Sequence, residues 1–302
     1  MNRRIAIVTD DPGWHGARLW EAFNQQGCDT EFVSLQACGF DLSGDGHGLV
    51  IPGFESLPDG VFVRGVPGGT LEQVVLYLDV LHALKQLGVC VYNDGHAIER
   101  SVDKGMTSFL LHSAAIPTPP TWVLTEGQDL SKSLRREFEL GNELVLKPLF
   151  GSQGEGLVRI RDGKDLPDQL ACNGVYYLQR FVPTGDEDAH DWRVFVINGK
   201  AVAAMLRCGQ GWISNVAQGA NCHPAVLDSQ LRELAEAAAG ALDMHYAGVD
   251  ILRDRKGNPY VIEVNSIPAW KGLHQVCSVD VAQLLVGDFL GCCRSDSLTE
   301  VV

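Results

Sequence analysis

The sequence predicts an α/β protein with a parallel sheet in its first lobe and antiparallel strands in the rest of the chain. An apolar strand at 4–9, a helical stretch at 17–26 and a strand at 30–33 follow the order of a parallel strand–helix–strand unit. A glycine-rich loop joins two short strands within 143–160. Two further β-prone runs flank the turn residues 253–259 and predict a hairpin.

Length and composition bound the class of protein. A chain of 302 residues is too long for one ordinary core, so more than one lobe is expected. The formal charge of −14, from 24 basic and 38 acidic residues, argues against nucleic acid or an anionic membrane as a general partner. Nine cysteines without a CxxC pair favour a reduced, cytoplasmic protein. The sequence offers neither a signal peptide nor an apolar run of about 18 residues that could span a bilayer.

We interpret the chain as two main units followed by a tail. The first lobe covers 1–97, the second unit covers 98–290, and 291–302 form a tail. Within the first lobe, Thr70 is placed to cap a helix whose apolar residues recur at helical spacing. Three prolines within 117–120 stop any helix and mark a junction inside the second unit.

Two loops of the first lobe follow strands of the predicted parallel sheet, at 11–16 and 64–69. Open α/β sheets bind ligands at this carboxyl edge. Trp14 and His15 in the first loop either contact a substrate or only close the loop over the sheet.

The predicted hairpin carries a candidate metal site. If the hairpin is symmetric about its turn, Asp250 lies opposite Glu263, and like charges directly opposed across a strand pair are destabilising. Glu263 and Asn265 are two residues apart and face the same side of the strand. Oxygen ligands of this kind suit Mg²⁺, which fills its remaining positions with water and phosphate oxygens. The alternative is a solvated hairpin with polar tips.

The glycine-rich loop is a candidate phosphate site. It lies between two strands, unlike a P-loop, and its glycines allow backbone N–H groups to approach phosphates, with Lys147 at the strand end. The apolar strand at 175–183 can offer backbone groups to an adenine edge, or it is a plain core strand. Asp191, Arg193 and Arg207 are candidates for one charged face, with surface ion pairing as the alternative.

The order of these parts resembles the ATP-grasp superfamily and, more closely, the RimK-type α-L-glutamate ligases. The match runs from about residue 93 to 273. Within the family, the chain also resembles the branch of enzymes that add glutamate to pterin or deazaflavin cofactors, which includes the methylotroph C1-pathway ligases. Its motifs are Asn93, Ile98-Glu99-Arg100, Asp103-Lys104, Ile116-Pro117-Thr118-Pro119, Lys147 with its flap, Asp191-x-Arg193, Ser214-Asn215, Asp250 and Glu263-Val264-Asn265-Ser266-x-Pro268. The resemblance implies an ATP-grasp fold behind an N-terminal parallel-sheet lobe.

The resemblance also implies a reaction and a set of site residues. The reaction is an ADP-forming ligation in which ATP converts a carboxylate into an acyl phosphate that an amine then attacks. The implied nucleotide-binding residues are Lys104, Lys147, Gly151, Ser152, Gln153, Gly154, Gln179, Arg180, Phe181, Asp191, Ser214 and Asn215. Asp250, Glu263 and Asn265 would hold Mg²⁺, as two ions that Mn²⁺ can replace. Arg193, Arg207 and Asn215 would stabilise the transferring phosphoryl group.

The implied substrates are L-glutamate as amine and a small-molecule cofactor or a peptide or protein carboxylate as acceptor. The alternatives are a ligase for another amino acid or a carrier protein, and an ATP-binding regulatory module without turnover. A homo-oligomer is compatible with the sequence. Ile213 and Gln218 stand where the family carries cations. Either Arg64 or Lys271 replaces that charge, or the side-chain subsite is neutral.

Overall fold

The computed structural model describes residues 2–125, 130–151, 154–167, 172–184, 189–209 and 211–295. Its helices are α1 Gly13–Gln25, α2 Leu71–Gln86, α3 Gly95–Val102, α4 Lys104–Ser113, α5 Leu130–Glu139, α6 Ser229–Ala241, α7 Lys271–Val276 and α8 Val281–Ser295. Its first strands are β1 Arg4–Val8, β2 Asp29–Val33, β3 Gly39–Phe40, β4 Leu49–Val50, β5 Gly60–Val63, β6 Val91–Tyr92, β7 Thr121–Thr125 and β8 Leu144–Lys147. The remaining strands are β9 Val158–Ile160, β10 Val175–Arg180, β11 His190–Ile197, β12 Lys200–Cys208, β13 Asn221–Pro224, β14 Tyr246–Arg253 and β15 Pro259–Asn265.

The first lobe contains the expected parallel sheet, with strand order β2-β1-β5-β6. Ile5 and Ile7 of β1 are fully buried, which agrees with a strand covered on both faces. Thr70 caps α2 as predicted, and its side chain and that of Gln73 exchange hydrogen bonds with each other's backbone N–H groups. The fold class predicted from the sequence is therefore confirmed here.

The glycine-rich loop is a flap between antiparallel strands, as predicted. Strands β8 and β9 pair directly, with Leu146 opposite Val158, in a four-stranded sheet of order β7-β10-β8-β9. We call this sheet the flap sheet. No helix follows the loop, because the chain returns at once into β9.

The second antiparallel sheet has five strands in the order β13-β12-β11-β14-β15. The Asn198–Gly199 turn that joins β11 to β12 has positive φ angles of 49° and 67°, as a tight hairpin turn requires. Asp250 lies opposite Glu263 in the β14–β15 hairpin, which confirms the predicted register. A β-bulge follows at once, so that Ile251 pairs with Val261 and Ile262 has no directly opposed partner.

One hydrophobic core joins the first lobe to the five-stranded sheet. Phe62 of β5 packs in the same cluster as Phe195 of β11, Tyr246 of β14 and Phe289 of α8. The predicted boundaries at 97 and 290 stay predictions, and α3 and α8 run across them. Within the described residues, no helix is both long and apolar enough to cross a membrane.

Asn93 fixes this junction through its side chain, which is fully buried. Its Nδ2 donates to the carbonyl oxygens of Tyr246 at 2.7 Å and Ser266 at 2.8 Å. Its Oδ1 accepts from the backbone N–H groups of His245 at 2.8 Å and Tyr246 at 3.3 Å. The asparagine therefore ties the end of β6 to both ends of the β14–β15 hairpin.

We expect Asn93→Ala to lower the free energy of unfolding by at least about 2 kcal/mol, because it leaves buried backbone groups without partners. Denaturant unfolding measures the change. Asn24→Ala on the exposed side of α1 is the matched control and should change stability by less than about 0.5 kcal/mol. Equal effects of the two substitutions would contradict the role of Asn93.

Candidate active site

A cavity of about 250 Å³ lies between the flap sheet and the five-stranded sheet. It brings together most of the residues that the sequence predicted for the site. Those in its lining are Lys104, Lys147, Gly151, Gly154, Gln179, Arg180, Phe181, Asp191, Arg207, Ser214, Asn215, Asp250 and Glu263. Arg193 and Asn265 lie outside this lining, and Ser152 and Gln153 lie outside the described residues.

Two lysines enter the cavity below the flap. Lys104 begins α4 and donates from Nζ to the carbonyl oxygens of Leu149 at 3.4 Å and Gly151 at 2.5 Å. Lys147 ends β8 and donates to Gln179 Oε1 at 2.7 Å. Burial, aided by the neighbouring charge of Lys104, lowers the pKa of Lys147 to about 8, although Glu263 and Asp250 oppose this shift. Burial also lowers the pKa of Lys104.

The flap reaches the opposite side of the cavity at Gly154. Its φ is +75°, and a Cβ atom there would lie 2.7 Å from Asn215 Oδ1. Only glycine fits this close approach in this backbone conformation. The contact places Asn215 beside the flap, where its side-chain amide faces the cavity lining.

A buried chain of ion pairs forms the back of the site and spans three adjacent strands. Arg207 holds Asp191 with two bonds of 2.6 Å, and Arg193 holds Asp250 with two bonds of 2.7 Å. Arg207 also reaches Asp250 Oδ2 at 2.8 Å and so joins the two pairs. We call these four residues the arginine–aspartate network. The sequence alternative of surface ion pairing is wrong, because the side chains of Asp191, Arg207 and Asp250 are at most 3% exposed.

The network changes the electrostatic argument for the hairpin. Burial raises the pKa of Asp250, but Arg193 and Arg207 outweigh this and hold the pKa of the carboxyl below its usual range. Asp250 is therefore already neutralised by protein cations. The expectation that two opposed carboxylates repel each other until a metal binds is incomplete, since Glu263 faces a carboxylate whose charge is compensated.

Glu263 has a different environment. Its charge acts on Lys104 and Lys147, and no described residue forms an ion pair or hydrogen bond with its carboxylate. Asn265 donates from Nδ2 to the carbonyl oxygen of Gly248 at 3.3 Å, which leaves its Oδ1 as an acceptor. The β-bulge beside Glu263 turns both Ile262 and Glu263 towards the cavity.

The oxygen donors fit a hard cation such as Mg²⁺. Glu263 and Asn265 each present oxygen that the described protein does not use. A carboxylate offers about four lone-pair positions, and the three bonds from Arg193 and Arg207 leave one at Asp250, on Oδ1. The three predicted metal ligands therefore supply oxygen atoms only, and Mg²⁺ prefers such ligands together with water and phosphate.

Asp191, predicted to contact the nucleotide, already accepts hydrogen bonds from its neighbours. Both carboxylate oxygens accept from Arg207, and Oδ2 also accepts from Ser214 Oγ at 2.8 Å. The structure thus uses Ser214 and Arg207 to hold Asp191 in place. Its role as a nucleotide contact stays a prediction.

The resemblance implies that Arg180 and Phe181, at the end of the strand at 175–183, form a hinge against adenine, but their backbone N–H groups are already used. The N–H of Arg180 donates to the carbonyl oxygen of Pro120, and that of Phe181 donates to Glu143, both at 2.8 Å. The side chain of Arg180 forms two bonds of 2.8 Å with Glu137. These two N–H groups are thus engaged within the protein, and the implied role of Arg180 and Phe181 at the adenine edge stays a prediction. Val182 follows in the same segment, and among the described residues its backbone N–H donates to no other backbone group.

The sequence reasoning missed the apolar walls and two cations of the cavity. Val145 of β8 and Leu157, just before β9, line it on one side, and Leu252 and Ile262 line it from the β14–β15 hairpin. The guanidinium of Arg159 lies 3.9 Å from the centre of the Phe181 ring. A second cation, Arg255, lines the cavity from the hairpin turn. Alternation along β8 and β14 could have identified Val145 and Leu252, but no local pattern marks Ile262, which the bulge redirects.

Comparison with known proteins identifies relatives over most of the chain. The model of the RimK-like ATP-grasp domain family matches residues 101–288. The tetrahydromethanopterin:α-L-glutamate ligase of Methanococcus maripaludis is 36% identical over 237 residues, which cover 76% of this chain and 78% of that protein. A probable α-L-glutamate ligase of Aliivibrio fischeri is 30% identical and covers 95% of both chains.

Solved structures share the fold at lower identity. The ATP-grasp ligase PsnB, complexed with a minimal precursor, has a TM-score of 0.76 at 20% identity and covers 97% of this chain and all of that one. A PsnB structure with a minimal precursor, Mg and ADP has a TM-score of 0.72, also at 20% identity, with 96% of this chain covered and 98% of that one. These neighbours confirm the predicted ATP-grasp architecture with its N-terminal lobe.

The two opposed carboxylates of the hairpin should respond differently to neutralisation. Asp250→Asn leaves the buried Arg207 and the partly buried Arg193 undercompensated, and we expect a loss of about 3–5 kcal/mol in the free energy of unfolding. Glu263→Gln removes a carboxylate without a recorded ion pair, and the change should stay below about 1 kcal/mol. Denaturant unfolding without added metal measures both. Glu233→Gln on exposed α6 is the control, and similar losses for Asp250→Asn and Glu263→Gln would contradict the assignment of the arginines to Asp250.

Proposed function

This chain belongs to the RimK-like ATP-grasp family, whose members are ADP-forming ligases, and we propose that it joins L-glutamate to a carboxylate substrate at the cost of ATP. The observation that carries the proposal is the cavity between the two antiparallel sheets. Below a glycine flap it is lined by two lysines, by Glu263 and by three members of the arginine–aspartate network, Asp191, Arg207 and Asp250. No side-chain nucleophile is needed, because positioning and charge neutralisation provide most of the catalysis in phosphoryl transfer.

The nucleotide lies between the sheets in this proposal. The apolar side chains of Val145, Leu157, Leu252 and Ile262 cover the two faces of adenine, and the hinge after β10 contacts its edge. The β- and γ-phosphates extend towards Lys104 and Lys147. Lys104 exchanges its bonds to the flap carbonyls for bonds to phosphate, which couples the flap to nucleotide binding.

The reaction has two steps. In the first, an oxygen of the acceptor carboxylate attacks the γ-phosphorus, and the bond between that phosphorus and the β,γ-bridging oxygen breaks to release ADP. In the second, the amine nitrogen of glutamate attacks the acyl carbon, the carbon–oxygen bond to phosphate breaks, and the ammonium that forms loses a proton. Arg207 and Asn215 face the cavity and stabilise the negative charge of both transition states.

Magnesium supplies charge neutralisation at the transferring phosphoryl group when it is bound. Glu263, Asn265 and the free Oδ1 position of Asp250 would hold it, as two ions, with Mn²⁺ able to substitute. Arg193 and Arg207 orient Asp250 for this role. They also prevent that carboxylate from repelling Glu263 before the ion arrives.

Glutamate as the amine follows from the relatives, which are named as glutamate ligases at 30–36% identity. The relative from M. maripaludis is named for tetrahydromethanopterin as its acceptor, so we propose a small-molecule cofactor of this kind as the carboxylate substrate. We place the reaction in the cytoplasm, because it consumes ATP and the cysteine pattern is that of a reduced protein.

Turnover should form ADP and phosphate and should require magnesium, L-glutamate and tetrahydromethanopterin together. Glu263→Gln should reduce the rate by at least about 100-fold, because it removes a metal ligand without disturbing the arginine–aspartate network. Chromatography of nucleotide products and mass spectrometry of the amide measure both. AMP and pyrophosphate as products would contradict the acyl phosphate. A preference for another amino acid among all twenty would contradict glutamate.

Nucleotide binding should take up a proton at pH values just above 8, because the free protein then holds much of Lys147 neutral and phosphate favours its ammonium form. Below that pH the lysine is already charged and uptake should vanish. Calorimetry of ADP binding with magnesium, in buffers of different ionisation enthalpy, measures the uptake. Lys147→Met should abolish most of it, and exposed Lys256→Met should retain it. Equal uptake in both variants would contradict the role of Lys147.

A further inference from the structure

A second cavity, of about 490 Å³, lies in the first lobe at the carboxyl ends of β1 and β5. The loop after β1 forms one side with Trp14 and His15, Arg64 follows β5, and Lys271 comes from the start of α7. Carboxyl edges of parallel strands are the usual place for ligands in α/β sheets. The cavity is separate from the nucleotide cavity described above, and the two share no lining residue.

Arg64 is the unusual group of this cavity. Its Nη1 donates to the carbonyl oxygen of Ile267 at 3.4 Å, and its guanidinium carbon lies 5.2 Å from the centre of the Trp270 ring. Its Nε is buried without a hydrogen-bond partner, and no carboxylate of the described residues pairs with it. Arg64 as a whole is partly buried, and a cation that is partly removed from water is stabilised by an anion close to it.

The neighbouring groups also suit an anion. The backbone N–H of Trp270 donates to Nε2 of His15 at 3.1 Å, so the ring proton of neutral His15 sits on Nδ1, where it can be donated. Burial, with the charges of Arg64 and Lys271, lowers the pKa of His15 to about 4. Helix α1 begins at the cavity without a side-chain cap, which leaves backbone donors in its first turn.

The acidic residues of the cavity do not compensate Arg64. Asp10 accepts from Ser34 Oγ at 2.5 Å and from Gln36 Nε2 at 3.0 Å, both outside the cavity lining. Asp11 is exposed and lies beside Gly13. Neither forms an ion pair with Arg64 or Lys271 among the described contacts. The cavity therefore keeps two cations and a neutral imidazole donor available.

The cavity is close to the reacting groups along the chain. The four residue steps from Glu263 to Ile267 span at most about 14 Å, and the carbonyl of Ile267 is the one that Arg64 contacts. Pro268 of the same loop packs on Gly248, beside Asn265, and this fixes the loop against the hairpin. A substrate of ordinary length can therefore place one end at Glu263 and the other at Arg64.

We propose that Arg64, Lys271 and His15 form a subsite that binds a carboxylate of a ligation substrate. This carboxylate takes no part in the reaction. The identification of the ligand as a substrate rests on the proposed ligase function, whereas the anion site rests on the geometry of the cavity alone. Arg64 binds the carboxylate through two of its N–H groups, Lys271 adds charge, and His15 Nδ1 donates a hydrogen bond. The carboxylate belongs either to the amino acid or to the acceptor.

Calorimetry with glutarate as a dicarboxylate probe tests the site without turnover. The wild-type protein should bind glutarate saturably and should not bind neutral glutaramide. Arg64→Met should weaken glutarate binding at least tenfold, Lys271→Met should weaken it less, and exposed Arg135→Met should leave it unchanged. Arg64→Met should also retain or raise the thermal midpoint, because it removes an uncompensated charge. No glutarate binding in wild type, unchanged binding in Arg64→Met, or a clearly lower midpoint would overturn the proposal.

Steady-state kinetics distinguish the two sources of the carboxylate. A tenfold or larger rise in the KM for L-glutamate in Arg64→Met, with the KM for ATP unchanged, assigns the subsite to the amino acid. The same rise in the KM for tetrahydromethanopterin assigns it to the acceptor. Glutarate binding that depends on Arg64 with neither KM changed would overturn the substrate assignment. A wild-type protein without ligase activity would refute the proposed function, and the calorimetry would still decide the anion site.

Discussion

The arginine–aspartate network is the interaction on which the rest of the site depends. It connects three neighbouring strands of the five-stranded sheet through bonds of 2.6–2.8 Å, and its members come from Asp191 to Asp250 in the sequence. Because the network is buried, its bonds are little screened by solvent and hold the side chains in one arrangement. That arrangement gives the two opposed carboxylates of the hairpin different tasks: Asp250 is compensated and rigid, whereas Glu263 keeps its oxygens available.

A shared core places the remaining parts of the site relative to this network. The cluster around Phe62, Phe195 and Tyr246 packs the first lobe directly on the strands that carry the network. Asn93 adds buried hydrogen bonds at the same junction. The flap sheet faces the network across the cavity between the two antiparallel sheets, and Lys104 holds the flap by its carbonyl oxygens. The fold thus sets a buried ion-pair network opposite a flap that is held by a lysine.

Local sequence predicted much of this arrangement. Turn residues predicted the hairpin register that sets Asp250 opposite Glu263, and the glycines that follow Lys147 predicted the flap. The contacts of Asp250 could not be predicted in this way, because Arg193 lies 57 residues away and reaches it only when β11 pairs with β14. The same limit applies to the N–H groups of Arg180 and Phe181. Their acceptors, the carbonyl oxygens of Pro120 and Glu143, directly precede β7 and β8 and are remote in sequence. Arg64 has no carboxylate partner among the described residues, and this depends on the whole fold, so that no motif could indicate it.

In the proposed function, the γ-phosphoryl group of ATP passes to a carboxylate in the cavity between the two antiparallel sheets. Oxygen transfer tests this most directly, with tetrahydromethanopterin labelled with ¹⁸O in its carboxylates as acceptor and L-glutamate as amine. An acyl phosphate passes one carboxylate oxygen to phosphate when the amide forms, so the account predicts ¹⁸O in the inorganic phosphate released with each amide formed. Amide formation with unlabelled phosphate, or with the label in AMP, would contradict it.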